Sequence, residues 1–150
     1  MMEVFLADPA ASDHLGAALA EVVQPGDVIT LSGPLGAGKT SIARGLLAAL
    51  GLAGEAPSPS FAIVQPYAPP ETRLPVLHVD LYRIDDPAEL DELGLDDAAA
   101  ESVLIVEWPE RAGTGYWPHA LALTLELTPG GARRLTAGVP LPWKARWPLT

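Results

Sequence analysis

Apolar and polar residues along this chain change period repeatedly, and each change marks an element. Leu15, Ala18, Leu19 and Val22 recur at helical spacing, which predicts a helix over Ser12–Val23 with Ser12 or Asp13 as its N-cap. A short strand around Val4–Leu6 is expected ahead of it. The turn Gln24–Asp27 opens a β-branched, apolar run, so Asp27–Leu31 reads as a strand buried in a parallel sheet. Ile42, Leu46, Ala49 and Leu50 then fall on one helical stripe, with Gly51 where a C-terminal cap glycine belongs. Gly54–Phe61, rich in proline and polar residues, reads as an exposed loop before the strand-like Phe61–Tyr67. Pro75–Asp80 and Ser102–Trp108 are apolar strand runs that lead into Asp80 and Glu107, and between them Asp85–Leu93 predicts a helix with Pro87 in its first turn and Gly94 as its stop. Leu121–Leu127 alternates, and a Pro-Gly-Gly turn joins it to Ala132–Gly138 as an antiparallel hairpin. From Val139 onward Trp143 and Trp147 follow no period, and this tail is expected to pack loosely on the body.

Strands alternating with helices point to an α/β protein of three layers, with a mixed, mainly parallel central sheet and a C-terminal antiparallel hairpin. Its 150 residues suit a single domain over 1–150, and a hydrophobic fraction of 49% supplies a packed core. The chain has no cysteine, which excludes disulfides, thiolate zinc sites and thiol catalysis. Its start carries an acid where a secretory leader has basic residues, and its longest apolar run is too short to span a bilayer, so a soluble, cytoplasmic protein without membrane association is expected.

Between the second strand and the helix that follows it lies LSGPLGAGKTSIARGLL, in which Gly33, Gly38, Lys39 and Thr40 satisfy G-x-x-x-x-G-K-[ST]. Glycines there let successive backbone N–H groups converge on phosphate oxygens, and the helix start adds unpaired N–H groups and the positive end of its dipole. Leu35, Gly36, Ala37, Gly38, Lys39, Thr40 and Ser41 therefore form a candidate phosphate cradle. Lys39 is placed to reach the β- and γ-phosphates, and the Thr40 hydroxyl to bind Mg²⁺. Phosphoryl transfer also needs a metal-holding acid and a group that orients the nucleophile. Asp80 and Glu107 qualify, since the C-terminal ends of strands border the ligand crevice of open α/β sheets. Gly45, inside the second helix, suggests close approach to a neighbouring element.

Net charge is −10, and the segment from Asp80 to Asp97 holds Asp80, Asp85, Asp86, Glu89, Asp91, Glu92, Asp96 and Asp97 against a single base, Arg83. Such a surface disfavours gripping a nucleic-acid backbone, which relies on Lys and Arg. It reads as a solvated acidic face or a surface for a basic partner.

GPLGAGKT, SPSF, HVDLYR, ELDELG and IVEWPER, in this order over Ser32–Arg111, closely resemble the TsaE (YjeE) family. The resemblance implies a small ATPase, weak alone and stimulated by partners, that assists threonylcarbamoyl transfer to adenosine 37 of tRNAs reading ANN codons. It implies TsaB and TsaD as partners, with tRNA met only through their complex. It also implies ATP and Mg²⁺ as ligands, with Lys39, Asp80 and Glu107 catalytic and Thr40 and Glu107 holding the metal. Ser58–Phe61 becomes the switch segment, Ser60 a nucleotide contact, and Trp108 a support of the site and its partner contact. Two residues depart from the family pattern: Ser60 stands where threonine is common, and Pro34 where an acid is.

Two other classes share the phosphate loop. A small-molecule kinase needs an acceptor pocket and an arginine-bearing lid; Arg133 and Arg134 lie on the hairpin and Arg111 follows a strand, so no lid is evident. A regulatory GTPase needs the guanine-reading N-K-x-D, which a chain without asparagine cannot supply. His14, His78 and His119 form no metal-binding set; His78 is singled out because it belongs to HVDLYR.

Overall fold

In the computed structural model, which describes residues 2–34, 37–53, 64–86, 88–90, 94–95, 100–113 and 115–147, the apolar runs become strands β1 (Met2–Leu6), β2 (Val28–Ser32), β3 (Val64–Tyr67), β4 (Val76–Asp80), β5 (Val103–Glu107), β6 (Leu121–Leu127) and β7 (Arg133–Gly138). They form one sheet in the order β1-β7-β6-β2-β5-β4-β3. The four inner strands, β6, β2, β5 and β4, run parallel, while β3, β7 and β1 join antiparallel at the two edges. The fold is thus α/β with a mixed, mostly parallel sheet, and the hairpin expected from the Pro-Gly-Gly turn is the β6–β7 pair.

Two helices, α1 (Pro9–Ala20) and α2 (Lys39–Ala49), share one apolar cluster with Ile29, Leu31, Val103, Ile105, Leu121, Leu123 and Leu135 on one face of the sheet. On the opposite face Val79, Leu104 and Val106 pack with Leu81, Ile84, Leu90, Leu95 and Ala112. Every residue of β5 is buried, as a strand covered on both faces must be. Among the described residues no helix is long and apolar enough to cross a membrane.

Several boundaries differ from the sequence reading. Helix α1 begins before Ser12: Asp8 is its N-cap, accepting from the Ala11 N–H at 2.9 Å, and Pro9 occupies the first turn, where a missing N–H costs nothing. Asp27 precedes β2 rather than opening it, because its carboxylate accepts from the Gln24 N–H at 2.7 Å and closes the turn. In α2 the buried stripe is Ile42, Ala43, Leu46, Leu47 and Leu50, with Ala49 exposed. Residues 88–90 form a 3-10 turn where a helix over Asp85–Leu93 is predicted; Pro87 and residues 91–93 lie outside the described residues. The tail is not loose as far as Trp147: Trp143 and Trp147 are 1% and 3% exposed, and Arg146 donates to both carboxylate oxygens of Asp27, at 2.6 and 3.0 Å.

Candidate functional site

The sheet's register brings the acids together. β2 lies beside β5 and β5 beside β4, so Leu31 is level with Glu107 and Glu107 with Asp80. The loop that leaves β2 therefore emerges next to both carboxylates, at the C-terminal edge of the parallel strands, where this architecture places its ligands.

Backbone geometry in the loop explains its glycines. Gly33 has φ +141°, and a Cβ there would lie 2.5 Å from the Leu125 carbonyl oxygen, so only glycine fits against β6. Gly38 has φ +99° and caps α2 without a side chain. With no acidic residue in the first turn of α2, the unpaired N–H groups there face no resident anion from their own helix. Ala37 is fully buried, while Leu35 and Gly36 lie outside the described residues, as do Ser60 and the whole of Ser58–Phe61.

Lys39 is buried, and its Nζ donates to the Gly33 carbonyl at 2.6 Å while sitting 3.4 Å from the centroid of the Trp108 ring. Burial lowers its pKa below the usual 10.5, an effect partly offset by the negative charges of Glu107, Glu110 and Asp80. Trp108 adopts a left-handed backbone, φ 60° and ψ 49°, a strained conformation for a bulky residue that turns its ring toward the loop. Tyr82 packs on that ring at 5.0 Å between centroids.

The Thr40 hydroxyl donates to Glu107 Oε1 at 3.0 Å, and the other carboxylate oxygen of Glu107 lies 2.6 Å from His78 Nε2. Glu107 is 3% exposed and His78 not at all. Asp80 Oδ1 accepts from the Tyr82 N–H at 2.9 Å. Its carboxyl titrates above the usual range because it is buried, with the Glu107 charge pushing the same way and the Tyr82 N–H, His78 and Lys39 opposing.

A hydroxyl and a carboxylate converging from different elements are hard oxygen donors of the kind Mg²⁺ takes. Among the described residues no cluster of three or more His, Cys, Asp or Glu side chains could hold a metal. The donor set fits an ion that completes its shell with phosphate oxygens and water rather than one caged by protein.

Sequence reasoning missed three participants. Arg133 on β7 donates from Nε to the Ala37 carbonyl at 3.0 Å, tying the hairpin to the loop across 96 positions. Asp8 and Ser12 of the α1 start join Gly38, Ser41 and Arg133 around a groove of about 160 Å³ beside the loop. The Asp8-Pro9 pair was the available signal for that helix start. A second cavity of about 380 Å³, lined by Trp117, Pro118 and Trp143 among others, lies at the other end of β2 and shares no residue with the loop.

Residues 6–135 match the protein family described as "Threonylcarbamoyl adenosine biosynthesis protein TsaE". A "tRNA threonylcarbamoyladenosine biosynthesis protein TsaE" from Streptomyces coelicolor is 42% identical over 98 residues, covering 65% of this chain and 66% of that protein. A protein of the same name from Mycobacterium bovis is 42% identical over 119 residues, 75% of this chain and 71% of its own length. The solved structure of YdiB from Bacillus subtilis superposes with a TM-score of 0.74 at 28% identity, over 91% of this chain and 83% of that one. The match thus spans about two thirds of the length of these curated relatives.

Proposed function

Because the chain belongs to the TsaE family, we propose that it is a Mg²⁺-dependent ATPase serving threonylcarbamoyl addition to adenosine 37 of tRNAs reading ANN codons. The relatives' names support the pathway. The observation that carries the chemistry is the contact between Thr40 and Glu107, 3.0 Å apart at the mouth of the glycine loop.

In this reading the N–H groups at the start of α2 receive the phosphate tail, and Lys39 exchanges the Gly33 carbonyl for a phosphate oxygen. Thr40 and Glu107 hold Mg²⁺, which when bound neutralises charge on the transferred phosphoryl group. Contact with Thr40 favours Glu107 over Asp80 as the metal ligand. Asp80, fixed by the Tyr82 N–H, orients the attacking water. Trp108 supports Lys39. The groove beside Gly38 and Ser41 is the space for the nucleoside. Nucleotide state sets affinity for TsaB and TsaD, so turnover is weak alone and rises when they are added. The chain meets tRNA through that complex.

Phosphate release by the purified protein, alone and with TsaB and TsaD, tests the reading. Glu107→Gln should abolish turnover and leave much of the nucleotide affinity. Absence of turnover in both settings would end the ATPase proposal, and undiminished turnover in the variant would remove Glu107 as a metal ligand.

A further inference from the structure

Along β4, Val76, His78 and Asp80 point to the face shared with α2, and in the parallel register His78 is level with Ile105, two residues before Glu107. Residues in this diagonal relation on one face are within reach of each other when a side chain is long. His78 Nε2 meets Glu107 Oε2 at 2.6 Å with both side chains out of solvent. In the tautomer that carries its proton on Nε2 the imidazole donates to Glu107 Oε2; His78 Nδ1 is buried with no hydrogen-bond partner among the described residues.

The two oxygens of Glu107 are thus claimed from opposite sides, Oε1 by Thr40 on α2 and Oε2 by His78 on β4. A carboxylate held at one oxygen can still turn about its last torsion, which has a broad, two-fold profile. A second donor fixes the plane. We propose that His78 is a positioning residue: through its Nε2–H it sets the plane of the Glu107 carboxylate so that Oε1 faces the position of a metal ion beside Thr40.

The inference rests on the proposed Mg²⁺ site, and partners one shell away from a metal commonly govern affinity by about 10–100-fold. A histidine that merely fills the core makes a different forecast. Replacing it by an apolar side chain leaves the buried Glu107 Oε2 without its partner and costs stability in either case, so a histidine that only satisfies that oxygen leaves the Mg²⁺-dependent gain in ADP affinity unmoved.

Calorimetric titration of ADP, in excess Mg²⁺ and in EDTA, separates the two without relying on turnover. His78→Gln keeps a donor near the Nε2 position, whereas His78→Asn carries its amide nearer the Nδ1 position, out of reach of Glu107. We expect Gln to preserve the gain in ADP affinity that Mg²⁺ gives the unaltered protein, within about threefold, and Asn and His78→Leu to lose about tenfold or more of it. Affinity in EDTA should stay unchanged in all three. Equal Mg²⁺ gains in folded Gln and Asn variants, or an undiminished gain in His78→Leu, would overturn the role of His78 while leaving the ATPase reading intact. No Mg²⁺ gain in the unaltered protein would overturn the metal site and this inference together.

Discussion

Lys39 and Asp80 are both held in a protonation balance that burial disturbs. For Asp80 the folded carboxyl titrates above its ordinary value of 3.8, so the native state binds this proton more tightly than the unfolded chain. The resulting stabilisation is complete below the unfolded value and is lost as pH rises through the folded one. Lys39 has the opposite charge: its lowered pKa disfavours the folded ammonium at neutral pH, and the cost is relieved only as pH climbs toward 10.5. Asp80→Asn keeps an oxygen for the Tyr82 N–H and removes the charge. It should raise Tm at pH 7 by a few degrees, given about 2–4 °C per kcal/mol at this chain length, and abolish turnover. Thermal scans between pH 4 and 8 check this: the advantage should shrink toward pH 4, and a variant less stable than the parent at pH 7 would contradict it.

Helices α1 and α2 cross at a pair of glycines. A Cβ on Gly16 would lie 2.6 Å from the Ile42 carbonyl oxygen and the Leu46 nitrogen, and one on Gly45 would lie 2.9 Å from the Asp13 carbonyl oxygen. Alanine at either position gains about 1 kcal/mol of helix propensity. Overpacking costs about 1–3 kcal/mol where neighbours can shift, and the atoms met here are backbone, which shifts least. Cost wins: Gly16→Ala and Gly45→Ala should each lower Tm by several degrees, Gly16→Ala the more, as differential scanning calorimetry can measure. The close approach was legible in the sequence at Gly45, because a glycine inside a periodic helix needs a reason. So were the phosphate loop and the acids at the ends of β4 and β5, since each is carried by local pattern. What escaped is non-local. The His78–Glu107 contact spans 29 positions and depends on strand register, and the Arg133–Ala37 contact spans 96. The start of α1 was misread because its cap, Asp8, stands outside the run of apolar periodicity.

At the scale of the molecule, a net charge of −10 sets how the protein meets others. Phosphate-backbone affinity comes from basic residues that displace counterions, so filter binding with labelled tRNA near 0.15 M salt should retain no tRNA with this chain alone, and retention should require the proposed TsaB and TsaD partners. Integrity of the whole depends on the tail that the sequence left without a period. Trp143 is 1% exposed, Arg146 stacks on its ring at 4.3 Å, and the same guanidinium binds Asp27 in bidentate fashion and the Val22 carbonyl at 3.0 Å. These contacts clasp the chain's last described turn to the segment entering β2. Removing a buried tryptophan costs about 3–5 kcal/mol, so Trp143→Ala should lower Tm by roughly 10 °C or more. Arg146→Lys should not be neutral, because an ammonium cannot span both Asp27 oxygens while covering an indole face. The clasp sits at the opposite end of β2 from the glycine loop, about 16 Å away along a five-residue strand. Nucleotide affinity measured well below Tm should therefore match that of the unaltered protein in both variants, and a loss of affinity without a loss of stability would mean that the tail acts on the site itself.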